Sequence, residues 1–157
     1  MTVPPTPQSS DTESHPPQAM MEALKGMVLA MPMARTLGLR FVHAEPGRVE
    51  LEIPVSEALS FWPGQLQATA VFAVAAAGSV LPPGWTNATV DTTLKIVAPA
   101  QGECLRARGR VVDVGRLLTG CAADVWAVDA AGQERLWATL LATARNIDTG
   151  APRPPRG

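Results

Sequence analysis

A concentration of charge of one sign is missing from this chain of 157 residues. Its 13 basic and 14 acidic residues give a formal net charge of -1, and charged residues make up only 17% of the sequence. Nucleic acid and anionic membrane surfaces attract proteins through clustered positive charge, which this composition does not supply. We therefore expect neither a nucleic-acid partner nor a membrane partner.

Cysteine and histidine are also scarce, with two of each in the sequence. Two thiols and two imidazoles are too few for the usual cysteine and histidine metal sites, so we expect no metal. We also expect no bound cofactor. Cys104 and Cys121 fall on neighbouring predicted strands. The sequence leaves open whether they form a disulfide, but the simpler interpretation is that both are small buried hydrophobic side chains.

No apolar run is long enough to span a bilayer, which takes about 18–20 residues. The uncharged run from Gln65 to Val80 has sixteen residues and is bounded by prolines, so we interpret it as a buried helix. The amino terminus has no basic region followed by an apolar one, so it does not resemble a secretory signal. These features predict a cytoplasmic protein.

The composition fits one folded domain. Hydrophobic residues make up 46% of the chain, and a domain of this size can bury a substantial core. Residues 1–17 are rich in Pro, Ser and Thr and nearly free of large apolar groups, as is the tail at 149–157. Such segments cannot offset the entropy lost on ordering, so we expect them to be disordered on either side of a domain at 18–148.

Two hydrophobic periods divide this domain. Apolar residues at helical spacing predict an amphipathic helix over 19–31: Met20, Leu24, Met27, Val28 and Met31. Alternation then predicts a strand with Val49, Leu51, Ile53 and Val55 on one face. Pro54 cannot donate to a strand ladder, so a bulge, a free edge or a break is expected there.

Four more strands are predicted after the uncharged run. The first places Val90, Thr92, Leu94 and Ile96 on one face, and the second places Leu105, Ala107, Gly109 and Val111 there. The arginines on the other face of the second strand form a surface stripe rather than a phosphate site: Arg106, Arg108 and Arg110. A short loop, "DAAGQ", joins the last two strands as a hairpin. This order predicts an α+β fold in which a curved antiparallel sheet wraps around one long buried helix.

Three segments resemble, in order and spacing, the hotdog-fold acyl-CoA thioesterases of the phenylacetate-degradation type. They are "FWPGQLQATAVFAVAAAG", "TVDTTLKIVAPAQGECLRARGRVV" and "VGRLLTGCAADVWAVDAAGQERLWATLLATA". The resemblance covers about Met33 to Ile147. It implies a hotdog fold, an acyl-CoA or related thioester as substrate, and a homo-oligomer, either a dimer or a tetramer.

The same resemblance suggests where catalysis would occur and shows a departure from the family pattern. In that family the central helix begins with His-Gly-Gly, whose second glycine offers an N–H to the thioester carbonyl, and an acidic residue follows seven positions later. The corresponding triplet here is Trp62, Pro63 and Gly64, and the seventh position after Gly64 is Val71. Gly64 therefore matches the family's donor, but valine can neither take a proton nor attack a carbonyl.

Other polar residues are candidates for the missing role. Gln67 could position a water but cannot be a general base, and Asp91 is the nearest carboxylate, although its phase favours a solvated strand position. Together with Gly64 they form the predicted catalytic set. The predicted substrate-binding set is Trp62, Gln65, Thr69, Val71, Thr92 and Arg116. Arg116 belongs to it because a basic residue after the glycine of this turn often lies near the CoA phosphates in the family.

The departure at Val71 leaves three functions open. The protein could hydrolyse an acyl-CoA thioester, bind an acyl-CoA or a similar small ligand without hydrolysis, or act as a structural oligomeric module.

Overall fold

The computed structural model describes residues 18–56, 60–62, 65–66, 80–82, 84–99 and 101–150. Two helices come first, α1 at Gln18–Ala30 and α2 at Pro32–Leu37. The first confirms the predicted amphipathic helix. Its packing differs in part from the prediction, because Val28 is buried whereas Met27 and Met31 remain exposed.

A left-handed glycine ends the second helix. Gly38 has a φ of 63° and its N–H donates to the Arg35 carbonyl, a conformation that carries no Cβ penalty in glycine. The glycine also lies close to Pro54, the last residue of the second strand. The chain thus turns sharply from α2 into the sheet.

Eight strands follow in the described residues. Their bounds are β1 Arg40–Glu45, β2 Arg48–Pro54, β3 Ser60–Trp62, β4 Gln65–Leu66, β5 Trp85–Ile96, β6 Cys104–Val114, β7 Leu118–Val128 and β8 Glu134–Asp148. Six of them form one antiparallel sheet in the order β1-β2-β6-β7-β8-β5, while β3 and β4 pair separately. The prediction of an alternating strand before the uncharged run and four after it is confirmed, as is the end of β2 at Pro54.

One face of the sheet, here called the inner face, carries the core. Strand register places Leu51, Ala107, Val125 and Ala138 in one row across β2, β6, β7 and β8, and each of them is at most 1% exposed. The predicted alternation of β2 and β6 is therefore confirmed. Side chains of α1 and α2 join the same cluster through Val28 and Ala34.

The opposite, outer face carries the arginines of β6 among acidic partners. Arg106 bonds Glu52 through Nε at 2.8 Å and Glu134 through Nη1 at 2.7 Å. Arg108 bonds Glu134 at 2.7 Å and lies with its guanidinium 5.7 Å from the Trp126 ring centre. The predicted surface stripe is thus an ion-pair ladder across four strands, because register brings acids of β2 and β8 to the level of the arginines.

Strand β5 departs from the predicted alternation at Val90. A bulge falls between Thr89 and Asp91, which face Ala144 and Thr143 of β8. Val90 is the extra residue and is 60% exposed, so its predicted inward position is wrong. Beyond the bulge, Thr92, Leu94 and Ile96 face the inner residues of β8 as predicted, but Ile96 remains 57% exposed because β5 is an edge strand.

The predicted start of the buried helix is also corrected. Gln65 and Leu66 form β4, with Gln65 opposite Trp62 in β3, so no helix begins at Gln65. The Pro-Gly dipeptide between them is a common turn former, which is the competing signal in the sequence. The rest of the predicted helix, 67–79, lies outside the described residues.

The two cysteines are free thiols. Cys104 faces Val128 at one end of the β6–β7 pair and Cys121 faces Val111 near the other, so the chain does not join them. Within the described part of the chain, neither helix has the length and apolar character that a membrane span requires.

Candidate functional site

Most of the predicted catalytic segment lies outside the described residues. This applies to Gly64, Gln67, Thr69 and Val71. Trp62 and Gln65 are described as strand residues that pair across β3 and β4. No helix begins at Gln65, which belongs to a strand, and Gly64 itself lies outside the described residues. The roles of all six residues stay predictions.

Asp91 and Thr92 lie on opposite faces of β5. Asp91 is exposed and faces Thr143 of β8 on the outer face. Thr92 is half-buried and faces Ala142 on the inner face. The predicted phase of both residues is confirmed, and a catalytic role for Asp91 and a substrate contact by Thr92 stay predictions.

Arg116 lies at the tip of the β6–β7 hairpin. The turn is closed by a hydrogen bond from the Gly115 N–H to the Leu118 carbonyl, at 2.8 Å. A Cβ on residue 115 would come within 2.9 Å of that carbonyl, so glycine is required by close approach. Arg116 is exposed, and its guanidinium makes no ion pair or hydrogen bond with any described residue. Several residues close to it in the chain have exposed apolar side chains: Val112, Val114, Leu117 and Leu118.

A buried polar pair lies behind this turn. Thr119 of β7 is fully buried and donates its hydroxyl hydrogen to Oδ1 of Asn146 in β8, at 2.9 Å. Asn146 is 7% exposed, and its Nδ2 donates to the Gly115 carbonyl, also at 2.9 Å. Buried polar groups cost free energy unless they form hydrogen bonds. Here Thr119 and Asn146 bond each other, and Asn146 also bonds the turn.

Two residues of β5 extend the polar character of this end of the inner face. Asn87 lies directly opposite Asn146, and Trp85 lies opposite Asp148. The Trp85 indole Nε1 is buried and has no hydrogen-bond partner among the described residues. Buried indole N–H groups are usually paired, so Trp85 adds a further polar group to the inner face at this end of the sheet.

The structure brings only some of the predicted residues to the same region. Thr92, Asp91 and Arg116 lie in the same half of the sheet, but β8 separates β5 from the β7 end of the hairpin. Two strand spacings are about 10 Å, so Asp91 and Arg116 would contact different parts of one ligand rather than one atom.

Cys121 is a buried thiol in the same half of the sheet, and burial lowers its reactivity. It lies on the inner face opposite Ala142 and is 2% exposed. Burial raises the pKa of its thiol to about 11, so the thiol is protonated at neutral pH. A protonated thiol is a poor nucleophile, which supports its interpretation as a small core residue.

A cavity of about 410 Å³ lies on the outer face beside Arg110 and Trp126. Its acids and bases face one another: Arg110 and Asp124 are 3.7 Å apart, and His43 and Glu45 are 3.5 Å apart. Neither this cavity nor a second of about 440 Å³ beside the β7–β8 hairpin is lined by a predicted site residue.

Sequence reasoning missed Thr119 and Asn146. Asn146 continues an inward row of β8 whose other members are apolar, namely Ala138, Leu140, Ala142 and Ala144. A polar residue in the phase of a core row is a detectable signal, because it must find a buried partner. The partner itself depends on strand register, which the pattern does not give.

Comparison with known proteins relates this geometry to a family. No protein-family model and no curated protein matches the chain. Among solved structures, a thioesterase family protein from Silicibacter pomeroyi is 32% identical, with a TM-score of 0.76 over 81% of this chain and 97% of that one. AziG from S. sahachiroi is 28% identical, with a TM-score of 0.64 over 75% of this chain and 98% of that one.

The phenylacetic acid degradation protein PaaI of E. coli shares the fold at lower identity. It is 14% identical, with a TM-score of 0.66 over 82% of this chain and 96% of that one. The fold is therefore the hotdog fold, as the sequence resemblance predicted. With about a third of its residues identical to those of the S. pomeroyi protein over four fifths of its length, the chain belongs to the thioesterase family and is a thioesterase-like hotdog protein.

Proposed function

We propose that this protein acts on an acyl-CoA thioester. The observation that carries the proposal is the 32% identity to a thioesterase family protein over 81% of the chain. In the reaction, the oxygen of a water molecule forms a bond to the thioester carbon and the C–S bond breaks. The products are a carboxylic acid and a free thiol, and no redox partner is needed.

Arg116 is the proposed contact for the phosphates of the CoA portion. Its guanidinium is exposed, has no partner among the described residues and projects from a closed turn. Guanidinium groups bind phosphate through paired hydrogen bonds, and the apolar side chains around the turn suit the pantetheine arm. The three arginines of β6 are poorer candidates, because each already lies beside a carboxylate.

The catalytic part of the proposal rests on the family resemblance. Gly64 is the candidate N–H donor to the carbonyl oxygen, with Gln67 or Thr69 placing water. Asp91 is the one carboxylate in the predicted set, and it is exposed on the outer face. It would have to act on a ligand that passes the edge of β5.

Val71 supports a second candidate function. On the family resemblance, Val71 takes the position of the acidic residue, so an acyl-CoA could bind without being hydrolysed. A binding protein of this kind would be a sensor, a carrier or a regulatory subunit. We propose it as the alternative, together with a homo-oligomeric state and a cytoplasmic location for either function.

Turnover of an acyl-CoA panel separates the two functions. Short, branched, aromatic and long-chain acyl-CoAs are incubated with the protein, and the released thiol is measured with a chromogenic disulfide. A hydrolase releases thiol, and Gly64→Pro and Gln67→Ala lower the rate. A binding protein releases none, yet its melting temperature rises with acyl-CoA concentration.

Val71→Asp tests whether a carboxylate at this position is the only catalytic group that is missing. If only the base is missing, this variant gains thiol release while keeping its fold by circular dichroism. Loss of folding without a gain would identify Val71 as a core residue, because a buried unpaired carboxylate is costly. Absence of both turnover and binding in the unaltered protein would refute the proposal and leave the structural module.

A further inference from the structure

Asn146 holds the β6–β7 turn through two hydrogen bonds. The Nδ2 group of Asn146 donates to the Gly115 carbonyl at 2.9 Å, and the backbone N–H of Asn146 donates to the Leu117 carbonyl at 2.8 Å. These two carbonyls lie immediately before and after Arg116 in the chain. The segment that carries Arg116 is therefore anchored to β8 on both sides of the arginine.

The orientation of the Asn146 amide follows from its partners. A carbonyl oxygen only accepts hydrogen bonds, so the Nδ2 group must face Gly115. The Oδ1 atom then faces Thr119, whose hydroxyl must donate the bond of 2.9 Å. Thr119 is 0% exposed and Asn146 is 7% exposed, so water does not compete for the bond between them.

The turn does not need this arrangement merely to close. The bond from the Gly115 N–H to the Leu118 carbonyl already closes it. Apolar side chains fill the preceding inward positions of β8, and another one would bury area at Asn146 without a desolvation cost. The amide therefore provides what an apolar residue could not, a fixed position for the peptide groups around Arg116.

We propose that Asn146, supported by Thr119, is a positioning residue for Arg116 in binding the phosphate groups of a CoA thioester. The inference rests on the proposed function. Arg116 has no partner among the described residues, so its backbone is the part that can be ordered before the ligand arrives. Ordering a binding group in advance lowers the entropy lost on association, which strengthens binding without a new contact.

Binding of CoA and of pantetheine, measured by titration calorimetry on the full chain, tests the inference. Pantetheine has the same thiol arm but lacks the nucleotide and its phosphates. Arg116→Ala is expected to weaken CoA binding about tenfold, the loss of one charge-assisted hydrogen bond. Asn146→Ala and Thr119→Val are expected to weaken it about three- to tenfold. Pantetheine binding is expected to stay unchanged in all three.

A double variant distinguishes positioning from a separate contribution. If Asn146 acts through Arg116, Asn146→Ala in the Arg116→Ala background causes no further loss of CoA affinity. Hydrogen exchange of the peptide over 112–118 gives a second readout that needs no ligand. It is expected to speed up in Asn146→Ala and Thr119→Val.

Thr139→Val is the matched control. Thr139 also donates its hydroxyl hydrogen across the β7–β8 pair, to Asp124 at 2.7 Å, but it lies on the outer face away from the turn. This variant loses a comparable bond and is expected to keep both CoA affinity and turn exchange. It also shows whether general loosening of β7 and β8 is enough to weaken CoA binding.

The outcomes separate the inference from the function on which it rests. If the unaltered protein binds CoA and Arg116→Ala weakens binding while Asn146→Ala and Thr119→Val do not, the inference is wrong and the proposed function stands. Additive losses in the double variant, or unchanged exchange at the turn, also overturn it. If the unaltered protein binds no CoA, the proposed function fails and the inference fails with it.

Discussion

At the scale of single residues, Glu134 is the carboxylate on which two arginines converge. Hydrogen bonds from Arg108 and then Arg106 hold the pKa of Glu134 below its ordinary value of 4.5. A pKa that is lower in the folded state stabilises the fold above the unfolded value, and this stabilisation disappears as the pH falls through the folded pKa. The ladder on the outer face should therefore weaken in acid.

Glu134→Gln tests this pH dependence. We expect it to lower the free energy of unfolding by about 1 kcal/mol at pH 7, since a partly exposed ion pair contributes little more. The difference from the unaltered protein should shrink below about pH 4.5 as Glu134 becomes protonated in both states. Urea titrations at pH 7, 5 and 3.5 measure it. Glu103→Gln is the control, because Glu103 is exposed and its carboxylate has no ion pair among the described residues.

At the scale of an element, burial differs strongly between positions of β6. Its inner face carries Leu105, which is fully buried, and its later part carries Val112, which is 62% exposed. Leu105→Ala should lower the free energy of unfolding by about 2–5 kcal/mol, because it leaves a cavity in the core. Val112→Ala should change it by less than about 0.5 kcal/mol. Equal losses from the two substitutions in urea titration would contradict the assignment of the inner face.

The same strand shows how much of the fold follows from sequence. The alternation of apolar residues with three arginines in β6 fixes its faces, because a period of two has only one solution once a core is present. In β5 the pattern was misleading at Val90, since a bulge depends on the partner strand. At Gln65 the uncharged run predicts a helix, whereas the structure pairs Gln65 with Trp62 as strand residues.

The candidate site followed from sequence only in part, for a related reason. Arg116 is predicted from a glycine turn that resembles a family motif, which is a local signal. Asn146 is 30 positions later in the chain, and only strand register brings its amide to the Gly115 carbonyl. Residues that act through a partner far away in the chain are therefore difficult to identify from a single sequence.

At the scale of the whole molecule, the sheet ends in two unequal edges. Strand β1 has six residues, whereas β5 has twelve and pairs with β8 alone among the described residues. Strand β5 also exposes Val90 and Ile96 by 60% and 57%. A long edge strand with exposed apolar side chains tends to pair with another strand, and a copy of itself is the partner that symmetry favours.

Val90→Lys tests pairing of β5 with its copy. In an isologous interface the new charge appears twice near the two-fold axis, so repulsion and lost apolar contact should raise the dimer dissociation constant at least about tenfold. Light scattering coupled to gel filtration over a range of concentrations measures the mass. Val112→Lys is the matched control, since Val112 is equally exposed but lies on β6, away from this edge. If Val90→Lys associates as strongly as the unaltered protein, or if the unaltered protein is a monomer throughout, β5 is not the interface. A ligand passing Asp91 would then meet solvent at this edge rather than a second subunit.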